Sequence, residues 1–307
     1  MKYLALAFYR FVTLDNPHLE IKKHKDFFKN KELTGRIYIS TGGINAQMSG
    51  TQEAIKAYLE WIRADVRFAD QYFNIQPCDE QVFPKMTVKY RRQLAALDEE
   101  VDVQNNTGTH VSPAKWREML ETEGDKIVID VRNDYEWEIG HFEGAQLPAH
   151  SCFRDFRSYA DDLKGKIDTK KTKVMMYCTG GIRCELYSAL LKKRGFEEVY
   201  QLQGGIIRYG QEEGTKHWKG KLFVFDDRLA VPIDGKENEA ISQCHNCAAL
   251  SDTYYNCANM DCNTLFRCCP DCLPLFKGCC TPKCAEAPRT RPFIRRGNKP
   301  FRKKHLY

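Results

Sequence analysis

Cys178-Thr-Gly-Gly-Ile-Arg183-Cys184 is the stretch whose residue types and spacing can do chemistry. The apolar run Val174-Met175-Met176-Tyr177 precedes it, and Glu185-Leu186-Tyr187-Ser188-Ala189-Leu190-Leu191-Lys192 follows. This pattern predicts a buried strand, a six-residue loop and an amphipathic helix. A thiol placed there meets unpaired backbone N–H groups and a helix dipole, both of which favour an anion. Arg183 adds a fixed positive charge. Gly180 and Gly181, between Thr179 and Ile182, let the loop backbone curl toward the sulfur. Such surroundings lower a thiol pKa and hold Cys178 as a thiolate. The competing explanation, a buried structural cysteine, does not account for this loop composition.

Two further residues extend the chemistry. Cys184 directly follows Arg183, and two neighbouring thiols can cycle through a disulfide or resolve a sulfenate; simple helix packing is its other explanation. Glu185 is either an acid–base group or a favourable charge at a helix start. Four residues, Thr179 to Ile182, separate Cys178 from Arg183. Cys-based phosphatases have a longer loop at this point. The shorter ring of N–H groups suits a sulfur-bearing thiolate or small oxyanion better than a tetrahedral phosphate, so phosphoryl transfer is disfavoured.

A second constellation lies near the carboxyl end. Ten of the fourteen cysteines fall between Cys244 and Cys284. Cys244-x2-Cys247, Cys257-x4-Cys262, Cys269-x2-Cys272 and Cys280-x3-Cys284 form four pairs with metal-ligand spacing, leaving Cys268 and Cys279 over. Four pairs make about two tetrahedral, structural zinc sites. Spacing alone does not assign which pair joins which, and iron–sulfur is the alternative. Disulfides would require an oxidising compartment. A third stretch, Lys85, Lys89, Tyr90, Arg91 and Arg92, interleaves base and aromatic in a way that could grip an RNA backbone and stack a base. Charge on a solvated edge strand explains it equally well.

These groups need scaffolds. At 307 residues, with 42% hydrophobic and 29% charged residues, the chain can bury more than one core. No apolar run reaches membrane-span length, so no membrane association is expected. Met1 to Tyr9 mildly imitates a signal peptide but lacks a small-residue cleavage site and runs into Arg10-Phe11-Val12. A first strand and a cytoplasmic location are therefore expected. Residues 1–97 read as β-α-β-β-α-β, a ferredoxin-like α+β domain expected to contact RNA. Residues 98–110 read as a linker, and 111–215 as alternating strands and helices that form a parallel sheet covered on both faces. A connecting segment (216–240) leads to the Cys-rich segment (241–285). The tail (286–307) belongs to a stretch, Lys283 to Tyr307, with nine Lys or Arg and one acid, Glu286. Such a tail commonly meets nucleic-acid phosphates.

Asp130-Val131-Arg132, Glu136, Gly140-His141 and Gly144-Ala145, followed by the cysteine loop and Gly204-Gly205, resemble a rhodanese domain over residues 111–215. By that resemblance Cys178 would carry a persulfide, and Asp130 with Arg132 would form an ion pair under the loop. Cys178 to Glu185 further resembles the signature of the TrhO family, rhodanese-domain tRNA uridine(34) hydroxylases. Gly43-Ile44-Asn45, Phe83-Pro84-Lys85-Met86-Thr87-Val88-Lys89 and Cys257 to Phe266 resemble that family too, as does Gly278-Cys279-Cys280, so the likeness covers about residues 3–285. The chain departs from it at Gly43, where Glu is commoner, and at Leu186-Tyr187, where Lys-Ala is usual. The resemblance implies oxygen-dependent 5-hydroxylation of the wobble uridine of tRNA, with molecular oxygen as co-substrate. Nothing in the sequence resembles a flavin, haem, nicotinamide or iron oxygenase site. Two other readings use the same residues: a thiosulfate-type sulfurtransferase working through a Cys178 persulfide, and a non-catalytic RNA-binding zinc protein.

Overall fold

The computed structural model describes residues 2–293; the basic residues from Arg295 onward lie outside the described residues. Residues up to Asp134 together with Gly144–Lys216 form one compact unit, and Tyr135–Glu143 with the described residues from His217 form a second.

The first unit opens with β1 (Tyr3–Phe11), α1 (Pro17–Phe28), β2 (Leu33–Ser40), β3 (Gly43–Thr51), α2 (Gln52–Arg63), β4 (Asn74–Cys78) and β5 (Met86–Tyr90). Both helices start on side-chain caps: Asn16 accepts from the Leu19 N–H and Thr51 from the Ala54 N–H. The sheet order is β4-β1-β3-β2-β5, with β5 parallel to β2 and the other pairs antiparallel. This is the expected ferredoxin-like arrangement, widened by a fifth strand. Strand alternation decides its two faces. Leu6, Phe8, Ile37, Ile39, Ala46 and Met48 point into a core closed by Ile21, Phe28, Ile55, Tyr58 and Ile62. Tyr9, Asn45, Tyr38 and Lys89 stand in one cross-strand row on the opposite, helix-free face.

The same unit continues with β6 (Thr109–Val111), α3 (Pro113–Glu121) and β7 (Lys126–Asp130). The chain then forms α4 (Asp134–Trp137) and β8 (Gly140–Phe142), and returns through α5 (Phe156–Lys164), β9 (Lys173–Tyr177), α6 (Ile182–Lys193), β10 (Val199–Leu202) and α7 (Gly205–Glu213). The sheet order is β6-β10-β9-β7 and every pair is parallel. Parallel topology gathers the carboxyl ends of β6, β10 and β9 at one edge.

Two expectations are corrected. Residues 109–110, read as linker, are the start of edge strand β6, which pairs with Tyr200 and Gln201. A three-residue strand carries too little periodicity to be seen locally. The helix after the cysteine loop begins at Ile182, so Arg183 and Cys184 lie in its first turn. That helix is not amphipathic: Tyr187, Ser188, Ala189, Leu190 and Leu191 are all buried, because it packs in the interior of the unit. The small Ser188 permits close approach and accepts a hydrogen bond from the Gly108 N–H at 2.9 Å.

The second unit is built from short pieces: β8 paired with β11 (Trp218–Gly220), β12 (Leu222–Phe223) with β13 (Ala230–Val231), and the hairpin β14 (Tyr254–Asn256) and β15 (Leu265–Arg267). Two single-turn helices, α8 (Cys272–Leu275) and α9 (Pro282–Ala285), complete it. Its cysteine-rich part has a core made largely of cysteine sulfur with Tyr255, Phe266 and Leu273. No helix among the described residues is long and apolar enough to cross a membrane.

Asp130 and Arg132 form a bidentate ion pair with neither side chain exposed, at 2.9 Å (Nε–Oδ1) and 2.6 Å (Nη2–Oδ2). Removing Asp130 takes away the carboxylate that holds both Nε and Nη2 of a fully buried guanidinium. Asp130→Ala is expected to lose about 3–5 kcal/mol in chemical unfolding. A loss under about 1 kcal/mol would show the pair to be replaceable by solvent.

Candidate active site and cysteine clusters

Strand β9 ends at Tyr177 and hands the chain to a turn, Cys178 to Gly181, that opens directly into α6. Gly181 caps the helix at φ +107°, and a Cβ there would lie 2.7 Å from the Tyr9 hydroxyl. Gly205, at φ +67°, lets α7 approach the loop; its Cβ would sit 2.6 Å from the carbonyl oxygens of both Cys178 and Thr179. Both positions demand glycine for conformation and for space.

The Cys178 sulfur accepts the Gly181 N–H at 3.1 Å and is only 1% exposed. Burial pushes this thiol up. The Cys184 thiol hydrogen bond, the Arg183 charge and the N–H groups of Arg183 and Gly181 outweigh burial and bring it down to about 6. Arg183 is itself steadied by Thr179, whose hydroxyl accepts from its Nη2 at 3.4 Å. Cys184, with no exposed surface, is pushed well up by burial and by its neighbour Cys178. The pair therefore stands as one thiolate and one thiol in hydrogen-bond contact.

Glu185 lies beside them and is buried. Its Oε1 accepts the Tyr9 hydroxyl and His110 Nε2, both at 2.9 Å, while Oε2 accepts Gln201 Nε2 at 3.2 Å. Burial raises the Tyr9 hydroxyl well above its ordinary pKa, and the Glu185 carboxylate adds to this. Tyr9, His110 and Gln201 went unrecognised in the sequence. Tyr9 reads as an ordinary strand residue, and His110 lay in the supposed linker. A groove of about 820 Å³ passes this network, lined among others by Tyr9, Phe11, Tyr72, Asn74, His110, Gly180 and Gln203.

In the second unit the eight paired cysteines gather into two clusters, Cys244-Cys247-Cys269-Cys272 and Cys257-Cys262-Cys280-Cys284, each with sulfurs within 4.8 Å of one another. The pairing left open by spacing is thus interleaved, first pair with third and second with fourth. Sulfur–sulfur distances of 3.7 Å (Cys247–Cys269 and Cys262–Cys280) and 3.9 Å (Cys280–Cys284) match the edge of a tetrahedron. Metal–sulfur bonds of about 2.3 Å give an edge of about 3.8 Å. His245 belongs to neither cluster, and Cys268 and Cys279 are packed into the core between.

Comparison with known proteins agrees with this layout. Residues 3–94 match the model described as "UPF0176 acylphosphatase like domain", 112–212 the rhodanese-like domain, and 219–285 the "Rhodanase C-terminal" model. The tRNA uridine(34) hydroxylase of Protochlamydia amoebophila is 53% identical over 306 residues, covering 99% of this chain and 95% of that protein. Those of Chlamydia felis and Chlamydia trachomatis serovar D are each 54% identical over 307 residues, covering 99% of this chain and 94% and 93% of theirs. The chain belongs to the tRNA uridine(34) hydroxylase family.

In this member of the tRNA uridine(34) hydroxylase family, Lys85, Lys89, Tyr90, Arg91 and Arg92 are all exposed at edge strand β5 and just beyond it. Arg91 lies over the Tyr38 ring at 4.9 Å, and Tyr90 stacks on His18 at 5.5 Å. Lys89 shares the Tyr9 row of the helix-free face. Three strand spacings separate the two, about 14 Å at about 4.8 Å per strand.

The thiolate can be titrated directly. The 240 nm absorbance difference between wild type and Cys178→Ser is expected to rise with pH through a midpoint of about 6. Arg183→Gln should move that midpoint upward by about one unit. A wild-type midpoint near the ordinary value of about 8.5 would contradict the electrostatic picture.

Proposed function

We propose that this protein hydroxylates carbon 5 of the wobble uridine of tRNA, with molecular oxygen as co-substrate, in the cytoplasm. Membership of the tRNA uridine(34) hydroxylase family carries the reaction class. The low-pKa thiol carries the mechanism. The Cys178 thiolate adds to carbon 6 of the uracil ring, and the electron pair of the C5=C6 bond makes carbon 5 nucleophilic toward an oxygen species. Dioxygen supplies the hydroxyl oxygen, and its second oxygen leaves as water. The two electrons for O–O cleavage come from Cys184, which takes the distal oxygen as a sulfenic acid. Once the product is released, the freed Cys178 thiolate condenses with it to a disulfide, that oxygen leaves as water, and an external thiol reductant restores the dithiol. In this scheme Cys184 is the resolving thiol and Arg183 the fixed charge that keeps Cys178 anionic. Asp130 and Arg132 support the strand edge under the loop.

The exposed Lys85, Lys89, Tyr90, Arg91 and Arg92 serve as the RNA track, since Lys89 stands in the cross-strand row that runs through Tyr38 and Asn45 to Tyr9, and Arg91 lies over Tyr38. A thiosulfate-type sulfurtransferase would use the same Cys178 as a persulfide; conversion of thiosulfate and cyanide to thiocyanate separates it from the hydroxylase.

Nucleoside mass spectrometry of tRNA from a deletion strain tests the reaction. Loss of 5-hydroxyuridine-derived wobble nucleosides is expected, restored by the wild-type gene and not by Cys178→Ser. Full restoration by the serine variant would refute the thiol mechanism.

The two four-sulfur clusters fit zinc, whose role here is structural: each ion ties together turns too short to fold by burial alone. Elemental analysis of protein purified under reductant should find about two zinc ions per chain under the four-ligand rule. Cys269→Ser should remove one of them and lower the melting temperature. Iron with sulfide in place of zinc would overturn this assignment.

A further inference from the structure

His110 and Asn74 face the groove beside the cysteine loop, and neither has a role in the chemistry described so far. His110 commits Nε2 to Glu185 Oε1 at 2.9 Å. Glu185, a carboxylate surrounded by donors, can only accept there, so Nε2 carries the hydrogen and Nδ1 the lone pair. Nδ1 has no hydrogen-bond partner among the described residues, and the side chain is 41% exposed. This is the carboxylate–imidazole pairing that fixes a tautomer and readies the far nitrogen to take a proton. The Glu185 hydrogen bond is the main cause that raises the imidazole pKa above its ordinary value, against the effect of burial. Asn74 supplies an independent sign of a ligand. It is 6% exposed, its Oδ1 has no partner, and a Cβ on Gly180 would touch its amide nitrogen at 4.0 Å. A buried carbonyl without a partner is unfavourable and calls for an N–H donor. The groove has the volume typical of small-ligand sites.

We propose that this groove seats the target uracil, with the Asn74 carboxamide paired to its imide edge and His110, oriented by Glu185, carrying the proton at carbon 5. The assignment rests on the hydroxylase reading above. Glu185 enters the acid–base chemistry through His110, and Tyr9 and Gln201 hold the carboxylate in place. The steps balance without an oxidant. The thiolate forms the S–C6 bond, the C5=C6 pair moves onto carbon 5, and imidazolium delivers a proton there. Neutral imidazole then removes a C5 proton, the C5=C6 bond re-forms, and the S–C6 bond breaks to release thiolate. After hydroxylation the same imidazole takes the remaining C5 hydrogen as a proton.

The test is anaerobic exchange. Full-length protein and tRNA from the deletion strain are incubated in D2O without oxygen, and wobble uridine is analysed for deuterium at carbon 5. Wild type is expected to exchange and Cys178→Ser is not. His110→Asn and Glu185→Gln should each slow exchange on the order of a hundredfold with tRNA affinity retained, which also certifies folding. Asn74→Ala should raise the tRNA concentration for half-maximal exchange and leave the maximal rate unchanged. Exchange at the wild-type rate in both His110→Asn and Glu185→Gln overturns the dyad while leaving the hydroxylase reading intact. Aerobic hydroxylation by wild type with no anaerobic exchange overturns addition at carbon 6, and the proposal with it.

Discussion

A thiolate buried to 1% exposure is the constraint on which the first unit depends. An isolated anion taken out of water costs several kcal/mol, and Cys178 is tolerable only because its surroundings are arranged for it. The N–H groups of Gly181 and Arg183 point at the sulfur, Cys184 donates its thiol, and Arg183 balances the charge. Each condition has a structural cause. The turn needs the positive φ of Gly181, and the close approach of α7 needs the missing side chain of Gly205.

A second buried anion, Glu185, sits in the first turn of the same helix and draws in more of the chain. Its three donors come from β1, β6 and β10, strands of two different sheets. The register of the amino-terminal sheet, which puts Tyr9 on the helix-free face, therefore bears on the chemistry of a loop 169 residues later (178 less 9). Polar networks of this kind are costly when half satisfied, and here Glu185 has a donor on each oxygen. Gly43 stands where β3 pairs with Phe11, and a Cβ there would collide with the Arg10 carbonyl at 2.0 Å. That position shapes the strand edge beside the groove and leaves the thiols untouched.

The cysteine-rich part solves a different problem. Its strands are three residues long and its helices single turns, too short to hold together by apolar burial. Interleaving first pair with third and second with fourth makes each cluster depend on the other's loops. A metal ion in each would supply the folding free energy that the core lacks.

What the sequence determined by itself was whatever depends on neighbours along the chain. A glycine-rich turn between an apolar strand and a helix marks an anion site wherever it occurs, and CxxC-type pairs mark ligands, because the relevant atoms are within a few residues of one another. The β-α-β-β-α-β order and the alternating strands and helices after it were legible for the same reason. The tertiary structure decided what depends on distant partners. Edge strand β6 exists only because β10 offers it a parallel register. The helix after the loop lost its polar face to the interior of the unit. The pairing of the cysteines required the β14–β15 hairpin to bring separated turns together. Tyr9, His110, Asn74 and Gln201 carry no local signal, since a strand residue becomes a site residue only when the sheets bring it to Glu185 or the loop.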